Sequence, residues 1–316
     1  MKSVVPSEKN KERLDKFLTE ITGETRSQLQ KKIKEGLILI NQKKVAPHHF
    51  LKTGEEIEIS ENTTPTQKIK LAAKTKAVTA AAKKIPAPKI IFEDENFLVI
   101  NKPAGLLTHP REKKLFNQEP TVVHWLIEKY PAIKEVGNAP ELRPGLVHRL
   151  DKEASGVMVI AKTNAAYDHL KEQFKNREII KEYRAIVYGK MPSNCGTIAF
   201  PIGHAGEGGR MAARPLADFP EKNQGGKEAK TFYEVLVSKP NYSVIKVFPK
   251  TGRTHQIRVH FFALNHPLIG DPIYQSKSYK KIPCERLMLH AHKLTFKDLK
   301  RERETFIAPL PDCFCE

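Results

Sequence analysis

The chain has 316 residues, with 54 Lys and Arg against 36 Asp and Glu, a formal net charge of +18 and an isoelectric point near 9.6. That excess favours a polyanionic partner, and no apolar run approaches the ~20 residues that span a bilayer. The polar opening Met1–Lys11 lacks the apolar segment of a signal peptide, and Cys195, Cys284, Cys313 and Cys315 form neither a Cys-x-x-Cys pair nor a disulfide framework, so the expectation is a soluble, reduced, cytoplasmic protein with no membrane partner and a nucleic acid as its polyanion.

Residues 9–60 read as a small basic module. Arg13–Leu18 has apolar positions at helical spacing, and Thr25 can cap a second helix over Arg26–Glu35. Leu29 and Ile33 fall on one face of that helix, with Arg26, Lys31, Lys32 and Lys34 around the remainder. Gly36 ends it, Leu37–Ile40 reads as a strand, Asn41–Lys44 as a tight turn and Glu56–Ile59 as a closing strand. With Thr25-Arg26-Ser27 opening the second helix and Gly36-Leu37-Ile38 after it, the module resembles the alpha-L RNA-binding motif. That motif is shared by a small-subunit ribosomal protein and several RNA-modifying enzymes. The resemblance implies that Arg26, Lys31 and Lys32 contact RNA phosphates; without it they read as an ordinary solvated helix face. Residues 61–89 are rich in Lys, Ala and Thr, hold no aromatic and end in Pro-x-Pro. Such a stretch reads as a flexible linker spanning ~30 Å.

The large domain, 90–316, opens with strand, turn and strand over Ile90–Lys102. Val122–Tyr130 follows with helical spacing. Next, Pro144 and Gly145 punctuate a turn, and the run His148-Arg149-Leu150-Asp151 precedes the apolar strand Val157–Ala161, with Ser155-Gly156 as the bend between them. By spacing alone, an ion-paired or turn-capping role for Asp151 outweighs a catalytic one. Asn164 can cap a helix to Phe174, and Lys181–Gly189 reads as a strand with Tyr183, Ala185 and Val187 on one side. The Gly-rich segment 203–228 reads as a loop or loose hairpin. Thr231–Ser238 and Tyr242–Phe248 are strands, and Thr254 can cap a helix that carries Arg258. Arg286–Ala291 and Leu294–Phe296 read as late strands.

Several chemistries fail on these residues. His-Arg-x-Asp lacks the Gly-rich loop and Asp-Phe-Gly of a kinase. His290 and His292 gain no further ligand from any motif, so no metal is expected. There is no Ser nucleophile elbow, and only one acidic residue stands in a distinctive context where a glycosidase needs two.

Arg143-Pro144-Gly145-Leu146-Val147-His148-Arg149-Leu150-Asp151-Lys152, followed by Ser155-Gly156-Val157, resembles the signature of pseudouridine synthases of the His-Arg-Leu-Asp class. Asn101–Leu106, Lys181-Glu182-Tyr183, Gly252–His260, His266–Asp271 and Leu287–Ala291 agree in order. The resemblance implies an α+β fold, a long, mostly antiparallel mixed sheet with flanking helices and a central cleft, beside the small α/β module. It implies that Asp151 is the essential carboxylate and that Arg258 pairs with it. Tyr183 would pack against the target base and serve as the base at its C5. Arg149 would occupy the space of the extruded nucleotide, and Leu289 would wall the pocket. The reaction breaks N1–C1′ of uridine, turns the base and forms C5–C1′. It therefore needs a closed apolar pocket around one ionised group and a flipped base, and neither metal nor cofactor. A buried carboxylate drifts towards its neutral form, and an adjacent Arg offsets this. The expected substrate is large-subunit rRNA and the expected state a monomer. Transfer RNA, or a non-catalytic ribosome-assembly role on the same fold, are the alternatives.

Overall fold

The computed structural model describes residues 2–314 apart from 11, 24–28, 31, 34–35, 47, 60–85, 111–115, 117, 206–209 and 215–225. The chain divides into two units, residues 1–75 and 76–316.

The first unit holds β1 (Lys2–Val4), α1 (Leu14–Thr22), β2 (Ile38–Ile40), β3 (Lys43–Lys44) and β4 (Glu56–Ile59) in a sheet of order β1-β4-β2-β3. β1 lies ahead of the start at residue 9 read from the sequence; it pairs antiparallel with β4, Ser3 opposite Ile57. The tight turn is narrower than Asn41–Lys44. Ile40 and Lys43 are paired, and only Asn41 and Gln42 turn, both with positive φ, as a two-residue hairpin requires. Leu29 and Ile33 are buried with Leu14, Phe17, Leu18 and Ile57, so the helical spacing reports a packed face. Buried Asp15 accepts a bidentate pair from Arg13 (2.9 and 3.1 Å) and a bond from Gln30 (2.6 Å), tying α1 to the segment that carries Leu29. Lys32 is half-buried on that segment; Arg26 and Lys31 lie outside the described residues.

The second unit is built on one nine-stranded sheet. Its strands are β5 (Lys89–Glu93), β6 (Phe97–Lys102), β7 (Ser155–Ala161), β8 (Ile180–Tyr188), β9 (Cys195–Ile198), β12 (Thr231–Ser238), β13 (Tyr242–Pro249), β14 (Leu289–Lys297) and β15 (Arg303–Ile307). The order is β5-β6-β7-β14-β8-β13-β12-β9, with β15 also on β14. Of these strands only β7 and β14 pair in parallel, so the sheet is mixed and mostly antiparallel. Helices α2 (Val122–Lys129), α3 (Asn164–Lys175) and α4 (Gln256–Ala263) flank it, and β10 (Ile202–His204) pairs with β11 (Met211–Ala213) in a separate hairpin. Lys89, read from the sequence as the end of the linker, is the first residue of β5.

Apolar side chains gather in two main clusters. One lies around β6, β7, α2 and α3; the other lies around β8, β13 and α4. Tyr183 packs against both, which places it at their junction, in the middle of the sheet.

Several boundaries differ from the sequence reading for identifiable reasons. Ser155 and Gly156 are not the bend: they belong to β7, and the turn closes earlier, with Ala154 N–H donating to Asp151 O (3.2 Å). Gly156 is needed for close approach. It has φ +121, and a Cβ there would lie 2.2 Å from Ala291 O on the parallel neighbour β14. Thr163, not Asn164, caps α3 by accepting Ala166 N–H; Asn164 instead accepts Gly137 N–H. α4 starts at Gln256 after His255 in the left-handed region, and Thr254 gives no cap. The buried Gln256 side chain instead braces the turn ahead of the helix, its Oε1 accepting Arg253 N–H (3.0 Å) and the Thr251 hydroxyl (2.6 Å). The two late strands are one, β14, interrupted by a bulge between Ala291 and Lys293.

Candidate active site

The loop before β7 delivers Asp151 to the place where β8, the turn after β13, α4 and the start of β14 converge. Bonds from the β6 side fix that loop. Thr108 Oγ1 donates to Leu150 O (2.8 Å), and Lys102, fully buried, donates to Pro103 O, Leu106 O and Lys152 O at 2.7–3.3 Å. Burial pulls the Lys102 pKa down to about 7, against the attraction of Asp151 and Glu153.

Behind Asp151 stands Arg258, with no exposed surface. Its guanidinium is divided. Nε and Nη2 form a fork on Asp271, both at 2.8 Å, while Nη1 points to Glu153 (3.0 Å) and Asp151 (3.4 Å). Burial works against the Arg258 charge, but the bonds and charge of Asp271, with Asp151 and Glu153 behind them, outweigh it and raise its pKa. Asp271 is itself aimed by the backbone N–H groups of Ile273 and Tyr274 on Oδ1 (2.8 and 3.0 Å). The Tyr274 ring lies 5.4 Å from the guanidinium carbon. Arg258 is thus held as a cation before any RNA arrives, with Nη1 left for Asp151 and Glu153.

That cavity measures about 470 Å³ and is lined by Arg149, Asp151, Tyr183 and Leu289, among others. The Asp151 side chain keeps 16 % of its surface exposed, so it faces the cavity while touching Arg258. Leu289 is buried in the wall. The Tyr183 phenol has its pKa raised, first by burial and then by Asp151, so it is a neutral phenol at neutral pH. Its ring suits packing against a base. Arg149 is exposed and makes no ion pair among the described residues. His148, its neighbour, is stacked on Phe174 at 4.8 Å and accepts Val159 N–H with Nε2; burial, then Lys181, lowers its pKa to about 3, and it stays uncharged.

The five residues expected in the catalytic domain therefore converge: four line one cavity, and Arg258 stands behind Asp151. Asp271 and Glu153 were missed. Asp271 ends His266–Asp271, a segment that agreed in order with the family but was given no site residue. Glu153 had no signal beyond its place two residues after Asp151. Among the described residues no group of three His, Cys, Asp or Glu is placed to hold a metal.

Comparison with known proteins bears directly on this geometry. Residues 96–263, more than half of the chain, match the RNA pseudouridylate synthase family, and residues 12–57 match the S4 domain. The chain belongs to the RNA pseudouridylate synthases. An uncharacterized RNA pseudouridine synthase of Synechocystis is 36% identical over 309 residues, covering 96% of this chain and 86% of that protein. The ribosomal large subunit pseudouridine synthase D of Haemophilus influenzae is 34% identical over 332 residues, covering 99% and 92%. Human RNA pseudouridylate synthase domain containing 1 superposes with a TM-score of 0.56 at 28% identity, over 73% of this chain and 87% of that one. The synthase acts on RNA and isomerises uridine, and an S4 domain precedes its catalytic domain. Among the described residues no helix is long and apolar enough to cross a membrane.

Proposed function

We propose that this synthase modifies uridine in large-subunit ribosomal RNA, as a cytoplasmic monomer, with Asp151 as the essential carboxylate. The observation that carries the site assignment is the contact between Asp151 and the prepositioned Arg258 in a cavity walled by Tyr183 and Leu289. The rRNA substrate rests on the names of relatives that match nearly the whole chain, together with the S4 match and the charge of +18.

In this reading Arg258 stays paired with Asp151 as its surroundings lose water on RNA binding. Asp151 then acts on the uridine as the N1–C1′ bond breaks. Tyr183 and Leu289 hold the detached base while it turns, so that C5–C1′ forms in place of escape. The C5 proton is lost and N1 gains one, so the product is an isomer and the atoms balance without a co-reactant. Arg149, exposed and free of ion pairs among the described residues, is placed to fill the stack that the flipped nucleotide leaves.

The substrate is tested by mapping pseudouridine in ribosomal and transfer RNA from a strain lacking the gene. Specific sites in large-subunit rRNA are expected to revert to uridine. Reversion confined to tRNA would overturn the rRNA assignment.

The N-terminal module is expected to carry electrostatic affinity through Arg26, Lys31 and Lys32. Deleting residues 1–60 should weaken rRNA binding and reduce the slope of log affinity against log salt by about 0.7–0.9 for each phosphate that is no longer neutralised. A slope equal to that of the intact synthase would return these three residues to a solubility role.

A further inference from the structure

The active cavity holds a second charged feature that the chemistry at Asp151 does not use. Six cationic side chains line it, Arg149, Lys175, Arg177, Lys181, Lys250 and Arg253, against Asp151 as the single carboxylate among the described residues. Arg177 is matched by Glu228 at 3.0 Å. Lys181 and Lys250 have no carboxylate within ion-pair distance among the described residues.

Lys181 lies on β8 two residues before Tyr183, on the same face and ~7 Å along the strand. Its ammonium makes one long bond, to Thr251 O at 3.3 Å. It shares the cavity lining with the uncharged His148 ring, the Tyr183 phenol, Thr251 and, immediately before Thr251, the exposed Lys250. Burial, and then repulsion from Lys250, pull the Lys181 pKa down to about 8. An enclosed ammonium facing a second one is unfavourable unless an anion joins them. The span from Tyr183 to Lys181 is comparable with that from a nucleotide's glycosidic carbon to its own phosphate.

We propose that Lys181 and Lys250 form a phosphodiester seat, holding the backbone of the nucleotide whose base enters beside Tyr183. This rests on the assignment of Asp151 and Tyr183 to the target uridine. The phosphate is the one 5′ or 3′ of that nucleotide, and the test separates the two. The seat fixes the ribose relative to Asp151 through two charge-assisted contacts and supplies the counter-charge that Lys181 lacks in the free synthase.

Lys181→Met, Lys250→Met and Lys181→Arg are made in the full chain and assayed on an in vitro transcript of large-subunit rRNA. Each Met variant is expected to raise KM about 10-fold with kcat within about 2-fold, and to lower the salt slope of binding by about 1. Lys181→Arg is expected to stay within about 3-fold of the parent. A fall in kcat with KM and slope unchanged would mark Lys181 as a structural residue and overturn the seat. A second arm does not depend on that RNA being the substrate. The full chain, labelled at lysine Cε, is titrated with uridine, uridine 5′-monophosphate and uridine 3′-monophosphate. The signals that disappear in the Met variants are expected to shift with one monophosphate and not with uridine, and the responding isomer identifies the phosphate. No shift with either monophosphate overturns the proposal. An inactive wild-type enzyme on the transcript, with the monophosphate shift intact, would count against the rRNA reading and leave the seat standing.

Discussion

Replacing Asp151 with Asn is expected to abolish pseudouridine formation, by at least ~10⁴-fold in kcat, while RNA binding stays within a few-fold and the fold is unchanged. The separation follows from how Arg258 is held. Its fork rests on Asp271 at 2.8 Å, and its Nη1 keeps Glu153 at 3.0 Å when the group 3.4 Å away at Asp151 is no longer charged. No buried cation is stranded, so the stability change should stay within about 1 kcal/mol. The amide keeps the volume of the carboxylate but can neither attack nor take a proton. Pseudouridine is read by mass spectrometry of the transcript, stability by urea unfolding. Modification that persists in the variant would remove Asp151 from the chemistry.

Asp271→Asn is expected to fail differently. Here the substitution removes the carboxylate on which both Nε and Nη2 of a fully buried guanidinium depend. An amide nitrogen would also face an N–H. Breaking one side of such a pair costs about 3–5 kcal/mol, so the urea midpoint should fall well below that of Asp151→Asn, with the slope unchanged. Activity should fall as well, since Arg258 is then free to leave Asp151. Equal stabilities for the two variants would show that Asp271 does not anchor the guanidinium.

Much of this site was legible in the sequence. Asp151, Tyr183, Arg258 and Leu289 stood in ordered segments that resemble one family, and the structure brings these residues together. The double cluster that traps Tyr183 was foreshadowed by the alternation of Tyr183, Ala185 and Val187. The support behind Asp151 was not legible, because nothing local marks Asp271 as the partner of Arg258. Its segment has the Pro and Gly of a turn, and the pairing exists only once α4 packs beside it. Gly156 misled for a related reason. Ser-Gly reads as punctuation, yet the glycine serves contact with β14, far along the chain at Ala291. The expected cap at Asn164 moved to Thr163 because Gly137 N–H took the Asn164 side chain, and Thr254 caps nothing because α4 starts after His255 in the left-handed region. β15 escaped notice because Arg303, Glu304 and Thr305 are all exposed and polar, which hides the strand pattern.

The position of β14 bears on how the molecule comes into being. It is the strand between β7 and β8, yet residues 289–297 are made after every other strand of the sheet except β15. Until then β7 and β8 are each an open edge in the middle of the future sheet, and β7 is destined for complete burial. Such long-range closure is slow and exposes the chain to aggregation. It also means that the cavity lacks its Leu289 wall until β14 is made and paired. The nascent chain can offer RNA-binding charge early, but it acquires a closed chamber for a detached base only when its last major strand slides into the centre.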